Sequence, residues 1–145
     1  MEEFGFGQGP IFRPDLASRN PDLVNEAFRQ YAIDRGIVRV GRLFQELHTP
    51  LTIVVNAEFF GKHPSVWKEF RSLAPNAPIV AHGMNNTSDM LPLRSGIAAQ
   101  KANIRRTLDL IAEAAGVRPK GWSSPSVYAN RDTMRPRSRA HRLEA

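Results

Sequence analysis

The amino-acid sequence predicts an α/β protein, because short apolar runs alternate with helical periodicities along the chain. Two runs, 51–55 and 77–81, are short and almost wholly apolar and contain β-branched residues, which is typical of strands buried on both faces of a parallel sheet. A third, shorter strand is predicted over 119–124. The resulting order of helix, strand, helix, strand, helix, strand implies right-handed crossovers between parallel strands.

Three helical patterns account for the segments beside these strands. The first spans 34–47, and the second begins at Pro64, because proline fits the first position of a helix. The third spans 96–115, ends at Gly116 and contains Arg105 and Asp109 at i,i+4 spacing, which predicts an ion pair. Its predicted buried stripe consists of Ile104, Leu108, Ile111 and Ala115. Residues 1–22 hold too many glycines and prolines for a long element.

Composition excludes several classes of protein. A chain of 145 residues that is 41% hydrophobic fits one domain with a core. The absence of cysteine excludes disulfides, thiolate metal sites and cysteine nucleophiles. No apolar run approaches the roughly 18 residues that span a bilayer, and the first residues do not resemble a signal peptide. We therefore expect a cytoplasmic protein that does not insert into membranes.

The positive charge is concentrated at one end of the chain. Residues 131–145 contain five arginines and two acidic residues, so they carry half of the formal net charge of +6. A nucleic-acid-binding domain is expected to show a basic patch on its folded surface, whereas this excess lies in a tail. A tail acting as a nucleic-acid arm, with strongly salt-dependent binding, is the least favoured of three interpretations of the chain.

Polar side chains follow each predicted strand, at the end of a parallel sheet where reactive groups lie. Asn56 and Glu58 follow the first strand, His82 with Asn85 and Asn86 follows the second, and residues 122–125 follow the third. His82 is the strongest single candidate, because neutral imidazole acts as a general base or a metal ligand. The alternative is a histidine that only hydrogen-bonds a loop carbonyl. For Glu58, a capping or structural role is favoured.

Several segments together resemble a known family. The run Ile79-Val-Ala-His82-Gly-Met-Asn-Asn86 is similar to the second motif of the NodB-type polysaccharide deacetylases, and most similar to their allantoinase-like branch. Residues 104–125 look like the segment leading into the third motif, and 31–64 are also similar. The resemblance covers residues 1–130, and its specificity comes from the combination of segments.

The resemblance implies a (β/α) barrel that hydrolyses amide C–N bonds, in N-acetyl sugars or a cyclic ureide. By this resemblance the catalytic residues are Glu2, Glu3 and His82, with His82 and Glu3 as the candidate ligands of a divalent zinc or cobalt ion. The candidate substrate-binding residues are Asn86, Trp122 and Pro125. The implied substrate is a small-molecule or saccharide amide of carbohydrate metabolism.

The sequence also departs from the family pattern. Asn86 replaces the second motif histidine, which leaves a metal-free site as an open alternative, and Ser123 stands where many deacetylases have arginine. The family's first strand and its later strands have no counterpart here, so the predicted fold is a partial barrel, incomplete at both ends. We expect residues 1–130 to form this domain and 131–145 to be a disordered Arg-rich tail.

These departures set the functional expectation. The chain is interpreted as a truncated amide hydrolase that is weakly active or inactive by itself. The alternative is a non-catalytic binding or scaffolding fragment of the same fold. A homo-oligomer is compatible with both interpretations.

Overall fold

The computed structural model describes residues 1, 23–86 and 96–125, which form helices around a three-stranded parallel sheet. The predicted α/β class and the parallel strand direction are therefore confirmed. The elements are α1 (Leu23–Tyr31), a π-helical turn (Ala32–Gly36), α2 (Ile37–Glu46), β1 (Ile53–Val55), α3 (Glu58–Lys62), α4 (Pro64–Leu73), β2 (Ile79–Ala81), α5 (Ile97–Ala115) and β3 (Gly121–Trp122).

The sheet has the strand order β1-β2-β3, and both neighbouring pairs are parallel. Val55 lies opposite Ala81, and Ala81 lies opposite Trp122, so the three strands end at the same edge. All three strands are shorter than predicted. Pro78 contributes only its carbonyl, which accepts a hydrogen bond from the Ile53 N–H at 2.8 Å, because proline has no N–H to donate.

The hydrophobic core lies between the sheet and helices α3, α4 and α5. Val55 and Ala81 from the strands, Phe59 from α3 and Ile111 from α5 are completely buried. The core cluster consists of Ile53, Val55, Ala57, Phe59, Phe60, Trp67, Phe70, Ile79, Ala81 and Ile111. α2 packs on the outer side of this layer, against α4.

Helix α5 begins and ends within one residue of the prediction, and Gly116 adopts the left-handed conformation at φ 69°. The predicted buried stripe is only partly right: Ile111 is buried, whereas Ile104, Leu108 and Ala115 are half-buried. Gln100 and Thr107 are buried instead, so the buried side of the helix follows positions 100, 107 and 111. The predicted Arg105–Asp109 pair is wrong, since Asp109 pairs with Arg118 at 2.6 Å.

Two helical segments were not predicted. The described chain is helical from Leu23, well before the predicted start at residue 34, and α3 fills part of the segment between β1 and Pro64. The π-helical turn Ala32–Gly36 explains the first difference, because its extra residue changes the phase of the apolar pattern between α1 and α2. None of the helices described is long and apolar enough to cross a membrane.

Candidate functional site

The chain segments that leave β1 and β2 run side by side beyond the end of the sheet. The Ala57 N–H donates to the Gly83 carbonyl at 3.0 Å. The Glu58 N–H donates to the Met84 carbonyl at 3.1 Å. These bonds hold the two segments together, so the polar side chains that follow β1 and β2 lie close to one another.

His82 is the buried titratable side chain at this end of the sheet. It is 6% exposed, and its main-chain N–H donates to the Val55 carbonyl at 2.9 Å. Its Nδ1 lies 2.9 Å from the Ser123 carbonyl oxygen. A carbonyl can only accept, so Nδ1 carries the hydrogen and the lone pair of the neutral ring lies on Nε2. The loop carbonyl is thus bound through Nδ1, and Nε2 is the ring atom that can accept a proton.

The loops around His82 are fixed by main-chain geometry. The Ser123 N–H donates to the Ala81 carbonyl at 2.9 Å, which fixes the segment that bears the acceptor for His82. Gly83 has φ 73°, a conformation that glycine adopts without steric cost. The chain therefore turns immediately after the histidine.

Asn56 joins the segments that follow β1 and β2. Its side chain is completely buried, and its Nδ2 donates to the main-chain carbonyl of His82. The same nitrogen lies 3.3 Å from Oδ1 of Asn86, whose side chain is 5% exposed. One buried carboxamide therefore contacts both of the residues that the resemblance placed at the second motif.

Glu58 lies at the rim of this region with its carboxylate engaged. Its Oε1 accepts a hydrogen bond from Asn85 Nδ2 at 2.6 Å, and its Oε2 pairs with Lys62 Nζ at 3.1 Å. The side chain is about one-third exposed. This arrangement ties the loop after β2 to α3, which agrees with the structural role favoured from the sequence.

Trp122 and Pro125 lie at the carboxyl end of β3, on either side of Ser123 and Ser124. The Trp122 indole N–H donates to Ser124 Oγ at 3.1 Å, and the ring packs partly against the core. Pro125 is buried. Both residues therefore flank the segment whose carbonyl holds His82.

The predicted carboxylates Glu2 and Glu3 lie outside the described residues, as does the Arg-rich segment 131–145. Met1 is described, and its ammonium group donates to the Val54 carbonyl at 2.5 Å. Its carbonyl accepts from the Asn56 N–H at 3.1 Å. The main chain therefore lies beside the end of β1 at residue 1.

The described residues do not by themselves form a complete divalent metal centre, and Glu3, the predicted carboxylate ligand, lies outside them. Within the ranges 23–86 and 96–125, no group of three His, Asp or Glu side chains lies close enough to hold an ion. His82 is the one imidazole among the residues assigned to the site, and Asn86 contributes a carboxamide. Such centres in proteins are normally built from three or four histidine, cysteine or carboxylate ligands.

A cavity of about 310 Å³ lies at the opposite end of the sheet. It is lined by residues that precede β1 and β2, including Leu51 and Pro78, and by residues of α2 and α4. Its lining contains no titratable side chain. The chemistry-bearing groups and this cavity therefore occupy different ends of the molecule, and the polar end is the candidate site.

Two other histidines lie in the described part of the chain. His48 is exposed after α2, and the His63 ring packs 5.1 Å from the Phe59 ring. The role of the Ser123 carbonyl and the contact between Asn56 and Asn86 were not predicted from the sequence. A main-chain carbonyl cannot be recognised from the type of residue that carries it. Asn56, by contrast, can be recognised by its position directly after a predicted strand.

Comparisons of this chain with protein-family models, with curated proteins and with solved structures find no match.

Proposed function

We propose that the end of the sheet around His82 hydrolyses amide C–N bonds, in N-acetyl groups of sugars or in a cyclic ureide. The observation that carries this proposal is the buried His82, whose Nδ1 lies 2.9 Å from the Ser123 carbonyl oxygen, which places the lone pair of a neutral ring on Nε2. We further propose that the three parallel strands belong to a (β/α) barrel of the polysaccharide deacetylase type. The strand direction and the position of His82 directly after β2 support that assignment.

The proposed reaction uses His82 as a general base. Nε2 takes a proton from a water molecule while the water oxygen attacks the amide carbonyl carbon. The imidazolium then returns the proton to the leaving nitrogen as the C–N bond breaks, which yields a carboxylic acid and an amine. Proton transfer by a positioned side chain contributes about 10²–10⁴-fold to the rate of such reactions.

An activity comparison tests this proposal on the whole chain. The substrates are an N-acetylglucosamine oligomer, assayed by acetate release, and allantoin, assayed by ring opening. We expect His82→Ala to lower kcat/KM by about 10²–10⁴-fold. The matched control is His48→Asn, because His48 is exposed at φ 50° and asparagine tolerates that conformation. Equal rates for the chain and for His82→Ala would overturn the proposal.

A second candidate function is a non-catalytic binding module for the same ligands. The observation in its favour is that the Glu58 carboxylate is already engaged by Asn85 and Lys62, which leaves His82 as the candidate base among the described residues assigned to the site. Saturable binding of the oligomer without acetate release, in the same samples, would favour this function over hydrolysis.

A further inference from the structure

The orientations of two buried carboxamides follow from one main-chain carbonyl. The His82 carbonyl can only accept, so the atom that Asn56 presents to it must be Nδ2. That nitrogen is a donor, so the atom of Asn86 that lies 3.3 Å away must be an acceptor, which is Oδ1. The orientation of the Asn86 amide group is therefore fixed, and its Nδ2 is the polar atom that does not contact Asn56.

This orientation leaves a buried donor without a hydrogen-bond partner among the described residues. Asn86 is 5% exposed, and its Nδ2 makes no hydrogen bond within the described part of the chain. Buried polar groups are hydrogen-bonded in the great majority of cases, and an unsatisfied donor costs about 1–3 kcal/mol in general. A donor held in this state, four residues from His82 in the same loop, is suited to an acceptor supplied by a ligand.

We propose that Asn86 Nδ2 binds the carbonyl oxygen of the substrate amide and that Asn56 is the positioning residue that orients it. This inference rests on the proposed hydrolase function and deepens it. Negative charge develops on the carbonyl oxygen when water attacks, and a preorganised N–H donor stabilises that charge. The ligand that Asn86 recognises is thus a carbonyl or carboxylate oxygen.

The first test measures binding and requires no turnover. The ¹⁵N-labelled whole chain is titrated with acetamide, and with ethylamine as a control that has no carbonyl oxygen. We expect saturable shifts of the Asn86 side-chain NH₂ signals with acetamide only, and loss of saturation in Asn56→Asp. Unmoved Asn86 signals, or equal shifts with ethylamine, would overturn the inference. This titration needs no enzymatic activity. It can therefore disprove the role of Asn86 without bearing on whether the chain hydrolyses amides.

The second test is kinetic. We expect Asn86→Asp, which removes the donor at nearly constant size, to lower kcat by about 10²–10³-fold with KM changed much less. Asn86→Leu supplies the same loss of a donor if the aspartate variant does not fold. Asn76→Asp is the control, because Asn76 is exposed at the opposite end of the sheet. Variants of Asn86 that fold and keep the kcat of the unmodified chain would overturn the inference.

Discussion

Gly116 ends helix α5 with φ 69°. Residues with a Cβ atom adopt this backbone conformation only at a steric cost. An added Cβ would meet no atom within 4 Å, so any effect of substitution comes from the backbone alone. We expect Gly116→Ala to lower the free energy of unfolding by about 1 kcal/mol. Urea denaturation followed by circular dichroism measures this value.

A comparison with asparagine isolates the cause of that effect. Asparagine tolerates the left-handed conformation better than alanine does, so Gly116→Asn should be less destabilising than Gly116→Ala. Equal losses for the two variants would show that the conformation of Gly116 does not limit stability.

The chemistry of the candidate site was predictable at the residue scale only in part. Apolar strands followed by polar residues pointed to His82 and Asn86, and the structure places both residues at the end of the sheet, buried. The atoms that they offer depend on two carbonyl oxygens, of Ser123 and of His82 itself. Every residue has a carbonyl, so only the fold could show which of them accept these bonds.

At the scale of elements, helices α2 and α4 approach closely at Gly41. A Cβ built at this position would lie 3.0 Å from the Phe70 ring and 3.2 Å from Leu73 Cδ1. Phe70 is 4% exposed, so its ring has little room to move. We expect Gly41→Ala to lower the free energy of unfolding by about 1–3 kcal/mol, because the contact overpacks the interface.

Gly36 provides the matched control for this prediction. It lies in the same continuous helical segment, but its added Cβ would be 3.8 Å from Ala32 Cβ, an ordinary contact. Gly36→Ala should raise the free energy of unfolding by about 0.4–1 kcal/mol, because alanine restricts the unfolded chain. If thermal unfolding shows that both variants are stabilised, the close approach of α2 and α4 does not matter to stability.

Helices with a strong sequence pattern were predicted more accurately than helices without one. α5 and the Pro64 start of α4 were predicted to within one residue, because a long periodicity and a proline each mark a helix directly. α3 was not predicted, because its five residues are too few to show a period. Its two phenylalanines are buried by tertiary contacts with the strands and α4.

At the scale of the whole molecule, Ile111 attaches the longest helix to the sheet. It is completely buried in the core, whereas its neighbour Leu110 is 36% exposed. We expect Ile111→Ala to lower the free energy of unfolding by about 2–5 kcal/mol, since it leaves a cavity. That loss is a large part of the roughly 5–15 kcal/mol that stabilises an ordinary domain.

Leu110→Ala is the control for the same helix and the same chemical change. It should cost less than about 1 kcal/mol, because the side chain is partly in water already. Guanidinium unfolding monitored by Trp fluorescence compares the two variants, and similar losses would mean that α5 is not held to the sheet through Ile111.

The exposed ion pairs contribute little at this scale. The Arg42–Glu69 pair is 2.9 Å long, and both of its side chains are more than half exposed. Exposed pairs are worth about 0–1 kcal/mol and are screened by salt. Raising NaCl to 0.5 M should therefore leave the unfolding midpoint of Arg42→Ala equal to that of the unmodified chain, and a persistent difference at high salt would show that Arg42 acts through packing.

The π-helical turn Ala32–Gly36 sets the rotational phase between α1 and α2. Each residue of a regular α-helix advances the side chain by about 100°. If the same five residues wound as a regular α-helix, α1 would be rotated by about that angle around its own axis. The rotation would carry Asn25, now completely buried, to a different side of the helix. The π-helical turn therefore absorbs one extra residue and keeps Asn25 on the buried side of α1.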